Sequence, residues 1–293
     1  METKKIFHYT NIDSLRKILE TKSLKFGSLK NMDDPLEYLS NDIDVCKGIY
    51  VSSWTDVEEE KIEMWSMYTA PDTAIRIEIT NNPFETVLED LNDFFLEADT
   101  ITHNQGSIAK GLEMRHLSES GLSVNPPFVP QLIKVEYIPR RILELLTNSV
   151  LSTKNTQEVL PNGTIKNSIV QKIDLSLFGE FKSMDWSFQH ELRFKVILLP
   201  CTNDEMLIKL KEINKTLEVN FFEWLKWKYD NCNNFPESIF IQLKNETLDN
   251  MKVTIGPNVS EENREVIRKI IIESGYKISV KESDIQIRFR NSH

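Results

Sequence analysis

Alternating hydrophobic and polar residues predict β-strands in several short segments. In the clearest case, TAIRIEI, Ile75, Ile77 and Ile79 fall on one face and Arg76 and Glu78 on the other. The other predicted strands are IF at residues 6–7, LKFGSL, GIYVSSW, QLIKVEYI, HELRFKVILLP, SIFIQL and MKVTI, with further short strands near the end of the chain.

Apolar residues spaced three and four apart predict helices between these strands. One such stripe follows Thr10, which forms a capping box with Asp13, so a helix is expected to begin there. After the Gly256–Pro257 turn, Asn258 or Ser260 is expected to cap a late helix. The other predicted helices are EEEKIEMWSMY, residues 83–98, residues 105–119, RRILELLTNSVL and two within residues 203–230, whereas residues 152–168 are predicted to form a polar loop.

The order of these elements favours the α+β class, because strands and helices mix without a regular βαβ alternation. The whole chain, 1–293, is expected to form a single domain with a sheet core and flanking helices. Residues 83–120 and 203–230 are expected to be helical insertions.

Charge and cysteine content limit the function classes. The net charge of −10 argues against a broad basic face for duplex nucleic acid, although residues 4–30 contain seven lysines and arginines. No segment approaches eighteen consecutive apolar residues, so no membrane span is expected. Three widely spaced cysteines, Cys46, Cys201 and Cys232, suit reduced thiols and a cytoplasmic location.

The first candidate site is the HYT segment, His8, Tyr9 and Thr10, which is expected at a corner between a strand and a helix. A histidine there can hydrogen-bond a ribose or carbonyl oxygen, and the helix N-terminus can face a phosphate. The alternative is a capped corner whose rings only fill space.

The second candidate is NMDDPLEY, where Asp33, Asp34 and Glu37 surround a turn at Pro35. These acids can position a ligand or support the histidine. They can also bind a divalent cation, although the ligand spacing does not repeat as it does in known metal motifs.

The third candidate is EMWSMY, in which Met64, Trp65 and Tyr68 share one helical face. Such a group packs into a core, or it forms a wall on which a nicotinamide or a base stacks.

The densest candidate is FKSMDWSFQHELRF. Glu191 and Arg193 lie two apart on a predicted strand and therefore point to the same side, opposite Leu192 and Phe194. The pair is either a structural ion pair or a carboxylate held in place opposite a developing cation. The chain contains no Walker loop, GxGxxG, HExxH, CxxC or GxSxG motif.

Taken in order, these segments resemble a bacterial family of unknown function whose pattern is HYT, NDPxE, WxxY and K…WxxExExR, with a late GP turn. The matching residues are His8, Tyr9, Thr10, Asp34, Pro35, Glu37, Trp65, Tyr68, Lys182, Trp186, Glu191, Arg193, Gly256 and Pro257. The chain departs from the pattern at three positions: Asp33 replaces an asparagine, Gln189 replaces an acid and Ala74 replaces a glycine. If Gln189 occupies the place of a catalytic acid, the catalytic activity of this protein is expected to be weakened or specialised.

The opening segment also resembles ADP-ribosyltransferases that act on nucleic acid. This resemblance implies a split mixed sheet with NAD in the cleft, His8 on the ribose, Tyr68 or Tyr9 on the nicotinamide, and Glu191 as the acid. We further expect Arg193 to hold Glu191 ionised, or to contact the pyrophosphate with Arg16 or Lys182. The remaining predicted cofactor-binding residues are Thr10, Asp34, Glu37 and Trp65.

The expected function is therefore that of an NAD-consuming transferase or glycohydrolase, of a kind suited to a bacterial toxin or phage-defence effector. The acceptor is a nucleic acid, a protein or water, and a partner or inhibitor protein is possible in such systems. The alternatives are a nucleotide-sensing module without turnover, and a nuclease that binds a metal through Asp33, Asp34, Glu37 and Glu191.

Overall fold

The structure is a computed structural model that describes residues 4–38, 44–90, 105–147, 151–159, 165–173, 175–216 and 221–286. Its strands are β1 (Lys5–Asn11), β2 (Ser23–Ser28), β3 (Ile49–Thr55), β4 (Ala74–Thr80), β5 (Thr86–Asp90), β6 (Gln105–Ala109), β7 (Ser123–Asn125), β8 (Gln131–Lys134), β9 (Glu136–Ile138), β10 (Leu151–Val159), β11 (Ile165–Ile173), β12 (Phe181–Ser183), β13 (Glu191–Leu199), β14 (Ser238–Gln242), β15 (Lys252–Ile255) and β16 (Ser279–Glu282). Its α-helices are α1 (Ile12–Thr21), α2 (Ile62–Tyr68), α3 (Met114–Glu119), α4 (Arg140–Thr147), α5 (Asn203–Thr216), α6 (Phe221–Asn231), α7 (Asn245–Asp249) and α8 (Glu261–Ser274).

The main sheet contains ten strands and is largely antiparallel. Strands β14, β2, β3, β1, β4, β15 and β16 follow one another across it, and β13 pairs with β3, β7 and β8. Among the described strands of this sheet, β15 and β16 form the only parallel pair. The predicted α+β class is confirmed.

The sheet consists of two parts that meet at one described strand pair. We call β1, β4, β15 and β16 the first half-sheet, and β14, β2, β3, β13, β7 and β8 the second half-sheet. Strands β1 and β3 pair only where Phe7 faces Thr55, and β3 pairs with β2 near its other end. The edge of β3 between these two points therefore faces a gap in the sheet.

Strand β13 shows how the sheet divides the core. Leu192 and Phe194 belong to a larger cluster that includes Leu15 of α1 and Ile267 of α8. Ile197 points the other way, into a smaller cluster beside α6. Each fully buried apolar side chain of this size contributes about 1.5–3 kcal/mol to folding. Glu191 and Arg193 share the face of Ile197, so the strand carries them just beyond the smaller cluster.

The HYT segment lies inside β1 rather than at a corner, which corrects the predicted helix start. Strand β1 pairs with β4 as far as Asn11, and Thr10 faces Ile75 in that ladder. Asn11 caps α1, because its Oδ1 accepts a hydrogen bond of 2.9 Å from the Ser14 amide. Thr10 is therefore a strand residue and not the cap, whereas Ser260 caps α8 as predicted.

Two predicted segments have the wrong secondary structure. Residues 83–98 and 105–119 were expected to be helical, but their described parts form the β5–β6 hairpin and only the short helix α3. The expected loop at 152–168 is largely the β10–β11 hairpin. In both hairpins, cross-strand pairing satisfies the backbone of segments with weak hydrophobic alternation, so tertiary context overrides the local pattern. Residues 91–104 and 160–164 lie outside the described residues.

The two helices predicted within residues 203–230 are present as α5 and α6. Across the described ranges, no helix combines the length and apolar character needed to cross a membrane.

Candidate functional site

A cleft of about 500 Å³, measured with its open mouth, lies at the gap between the two half-sheets. Strand β1, strand β3, the start of β13 and helix α2 all contribute to its walls. The lining residues are Phe7, His8, Tyr9, Met32, Asp33, Ser53, Trp54, Met64, Tyr68, Lys182, Gln189 and Glu191.

His8 bridges the gap between the half-sheets. Its Nδ1 lies 2.8 Å from the backbone oxygen of Ser53, and its ring centroid is 5.1 Å from that of Trp54. Because a carbonyl oxygen only accepts, Nδ1 carries the proton and Nε2 of the neutral ring is left as an acceptor. Burial lowers the pKa of His8 and outweighs the opposing effect of the Ser53 hydrogen bond. His8 therefore offers the cleft an uncharged hydrogen-bond acceptor.

Four buried charged side chains form a closed cluster beside the cleft, which we call the ionic cluster: Glu37, Lys182, Glu191 and Arg193. Arg193 Nε lies 2.7 Å from Glu191 Oε1, and Arg193 Nη2 lies 3.0 Å from Glu191 Oε2. Lys182 Nζ lies 3.1 Å from Glu191 Oε2 and 3.2 Å from Glu37 Oε1. Arg193 Nη1 contacts Glu37 Oε2 and donates to the backbone oxygen of Gly179 at 3.1 Å.

The ionic cluster keeps Glu191 ionised. Burial raises the pKa of this carboxyl, but the charges of Arg193 and Lys182, together with hydrogen bonds from Arg193 and Ser53, outweigh it and lower the pKa to about 2. Burial likewise opposes the charged form of Arg193, and the two glutamates outweigh it, so its pKa is raised. With two carboxylates and two cations, the cluster is neutral as a whole.

The positions of the acids argue against the metal hypothesis. The Lys182 ammonium lies between Glu37 and Glu191, where a cation bridging these carboxylates would bind. Asp34 accepts hydrogen bonds from the amides of Leu36, at 3.0 Å, and Ser183, at 3.4 Å. No group of three potential metal ligands occurs in the ranges that the structure covers.

Tyr68 and Gln189 meet at one wall of the cleft. Gln189 Nε2 donates to the Tyr68 hydroxyl, and Gln189 is only 4% exposed. The Oε1 atom of Gln189 is buried and has no hydrogen-bond partner among the described residues. Burial raises the pKa of Tyr68, and the charges of Asp33 and Glu191 raise it further.

Five of the ten predicted site residues line the cleft: His8, Tyr9, Tyr68, Lys182 and Glu191. The other five predicted site residues do not line the cleft and lie next to residues that do. Glu37 and Arg193 complete the ionic cluster, and Asp34 fixes the backbone near Ser183. Thr10 is buried in β1, and Trp65 packs edge-on against Tyr9 with centroids 4.8 Å apart.

Four lining residues were not identified from the sequence: Phe7, Met32, Ser53 and Trp54. Alternation in GIYVSSW places Ser53 and Trp54 on opposite faces of a strand, yet both reach the cleft because this edge of β3 faces the gap. No local pattern marks a gap that arises from the pairing of distant strands.

Comparison of the chain with protein-family models, with curated protein sequences and with solved structures finds no match. The fold and the site thus define an α+β protein with a cleft between two half-sheets and a buried ionic cluster beside it.

Proposed function

We propose that the protein binds NAD in this cleft and transfers its ADP-ribosyl group to a nucleophile. One observation carries the proposal: His8 of the first half-sheet and Glu191 of the second line the same cleft. This arrangement agrees with the resemblance to ADP-ribosyltransferases, which implies that NAD binds between the halves of a split sheet.

In the proposed reaction, the bond between the ribose and the nicotinamide nitrogen breaks. Nicotinamide leaves with the bonding electron pair, and positive charge develops on the ribose. A hydroxyl, amine or water of the acceptor forms the new bond to the same carbon and gives up its proton to solvent. An ionised carboxylate beside the ribose stabilises the developing charge, and Glu191 is ionised at every pH well above 2.

The other cleft residues suit the two ends of the nicotinamide riboside. Nε2 of His8 can accept a hydrogen bond from a ribose hydroxyl, because Nδ1 is already bonded to Ser53. Tyr68, Tyr9 and Trp54 provide aromatic surface for a flat ring. Lys182 lines the cleft beside Glu191, where its charge can be shared with a phosphate oxygen of the dinucleotide.

A second candidate is a nucleotide-binding module without turnover, and the pairing of Glu191 favours it. Arg193 contacts both carboxylate oxygens, and Lys182 contacts one of them. A carboxylate neutralised in this way stabilises a nearby cation less than a free one does. Under this alternative, the same cleft binds NAD and leaves it intact.

The experiment is release of nicotinamide from NAD by the purified protein, with bacterial RNA, DNA and lysate offered as acceptors. We expect release by the wild type and a loss of at least about 100-fold in Glu191→Gln, the size typical for removal of one transition-state contact. Glu180→Gln is the control, since it breaks the 3.0 Å ion pair between Glu180 and Lys195 of β13, and neither residue lines the cleft.

Thermal unfolding of each variant shows whether loss of release reflects loss of fold. Equal release by the wild type and a folded Glu191→Gln contradicts the catalytic role of Glu191. NAD binding without release of nicotinamide, whichever acceptor is offered, supports the binding module. The same proposal includes a cytoplasmic role as a toxin or defence effector, with a partner or inhibitor protein. These parts follow only if nicotinamide release is observed.

A further inference from the structure

Asp33 is the one ionisable carboxylate on the cleft wall that no described cation neutralises. It lies between β2 and a short 3-10 helix, Pro35–Tyr38, which carries Glu37. The Asp33 side chain is exposed. No ion pair or hydrogen bond joins it to another described side chain, whereas Glu191 is paired twice.

The side chains of the cleft lining and of the ionic cluster together carry one negative charge. Asp33, Glu37 and Glu191 are three carboxylates, and Lys182 and Arg193 are two cations. His8 adds no charge, because its pKa is lowered. The excess therefore sits on Asp33, which lines the same cleft as Tyr68 and whose charge helps to raise the pKa of the Tyr68 hydroxyl. A negative group next to an aromatic wall suits a cationic ring.

Gln189, which also lines the cleft, gives a second, independent indication of a ligand there. It is 4% exposed, and its Oε1 lacks a partner in the part of the chain that the structure describes. A buried acceptor without a partner is destabilising unless a donor reaches it. If the amide is turned over, Tyr68 donates to Oε1 and the unpaired atom is the Nε2 donor instead. In either orientation one polar atom of the amide lacks a partner among the described residues.

We propose that Asp33 and Gln189, which line the cleft together with Tyr68, select a cationic aromatic ring that bears a carboxamide. In the dinucleotide of the proposed function, on which this inference rests, that ring is the oxidised nicotinamide. The positive charge of its pyridinium ring faces Asp33, and its carboxamide forms a hydrogen bond with the Gln189 amide. The reduced dinucleotide has the same carboxamide and a neutral ring, so only the contact with Asp33 distinguishes the two forms.

The test is calorimetric titration of NAD⁺ and NADH into the wild type and into two variants. We expect the wild type to bind NAD⁺ about three- to tenfold more tightly than NADH, the range for one partly screened charge contact. Asp33→Asn should bind both forms within about twofold of each other, since the charge is gone and the shape is kept.

Gln189→Met should weaken both forms by about tenfold, through loss of one hydrogen bond, and should keep the preference for NAD⁺. Asp13→Asn, at an exposed position on α1 away from the cleft, is the matched control and should change neither constant.

The outcomes separate this inference from the function on which it rests. Equal binding of both forms by the wild type, or a preference that survives in Asp33→Asn, overturns the inference and leaves NAD binding intact. Binding of neither form by the folded wild type contradicts the proposed function, and the inference fails with it.

Discussion

Arg193 and Glu191, two residues apart on β13, form a two-point ion pair. Their atoms meet at 2.7 Å (Nε to Oε1) and 3.0 Å (Nη2 to Oε2). Arg193 is fully buried, and only its guanidinium fork matches a carboxylate in this way. The carboxylate is therefore held in one orientation at the edge of the cleft. Stability and the proposed chemistry both depend on this pair.

Removal of the Arg193 charge should destabilise the fold strongly. Arg193→Met leaves Glu37 and Glu191 sharing Lys182 alone, and loss of one partner from a buried ion pair costs about 3–5 kcal/mol. Urea unfolding monitored by circular dichroism measures this free energy. Lys195→Met on the same strand is the control, because its partner Glu180 is partly exposed, and we expect about 1 kcal/mol or less. Similar costs for the two variants would contradict the assigned cluster.

Stability should fall in acid because of Glu191. Its pKa is about 2 in the folded protein and about 4.5 when unperturbed, so the folded state binds the proton less well. The contribution is present above pH 4.5 and is lost as the pH falls toward 2, with a size on the order of 3 kcal/mol. Urea unfolding at pH 7, 4 and 3 follows the loss. In Glu191→Gln this loss of stability between pH 4.5 and pH 2 should vanish. If the loss persists in the variant, other carboxyl groups cause it.

His8 should titrate below its ordinary pKa of 6.5, because burial disfavours the charged ring. The unfolded chain then takes up the proton first, so this contribution is present above pH 6.5 and is lost as the pH falls below it. Histidine ring signals in NMR spectra, assigned with His8→Gln, give the value directly. A value above 6.5 would show that a negative group, rather than burial, controls this ring.

Gly256 should not tolerate a side chain. A Cβ there would lie 2.6 Å from the Ala74 Cβ and 2.9 Å from the Ala74 oxygen. We expect Gly256→Ala to cost about 1–3 kcal/mol in thermal or urea unfolding. Gly27→Ala is the control, since its Cβ would meet only the Met32 Cε at 3.5 Å. A Gly256→Ala protein as stable as the control would show that the turn shifts freely.

Local patterns predicted the strands that carry the site. Alternation in HELRFKVILLP placed Glu191 and Arg193 on one side, and the structure joins them there. The same rule placed Arg76 opposite Ile75 and Ile77, but it does not predict that Arg76 is only 2% exposed. Its guanidinium lies 3.8 Å above the Phe7 ring and donates to the Val57 and Glu58 backbone oxygens.

The features missed from the sequence depend on distant segments. Backbone oxygens of Val57 and Glu58 accept from the buried Arg76 side chain, and Glu37 reaches Lys182 and Arg193 from a distant part of the chain. The gap between β1 and β3, which creates the cleft, also arises from strand pairing and not from any local spacing. Spacing along one strand predicts which side chains share a side, but it does not predict what covers them.

The most direct test of the account is a crystal structure of the wild type with an NAD analogue whose ribose ring oxygen is replaced by a methylene group, which prevents cleavage. The account predicts the nicotinamide against Tyr68, with a ribose hydroxyl within about 3.2 Å of Nε2 of His8. An analogue bound elsewhere, or an empty cleft in crystals grown at saturating analogue, would contradict it.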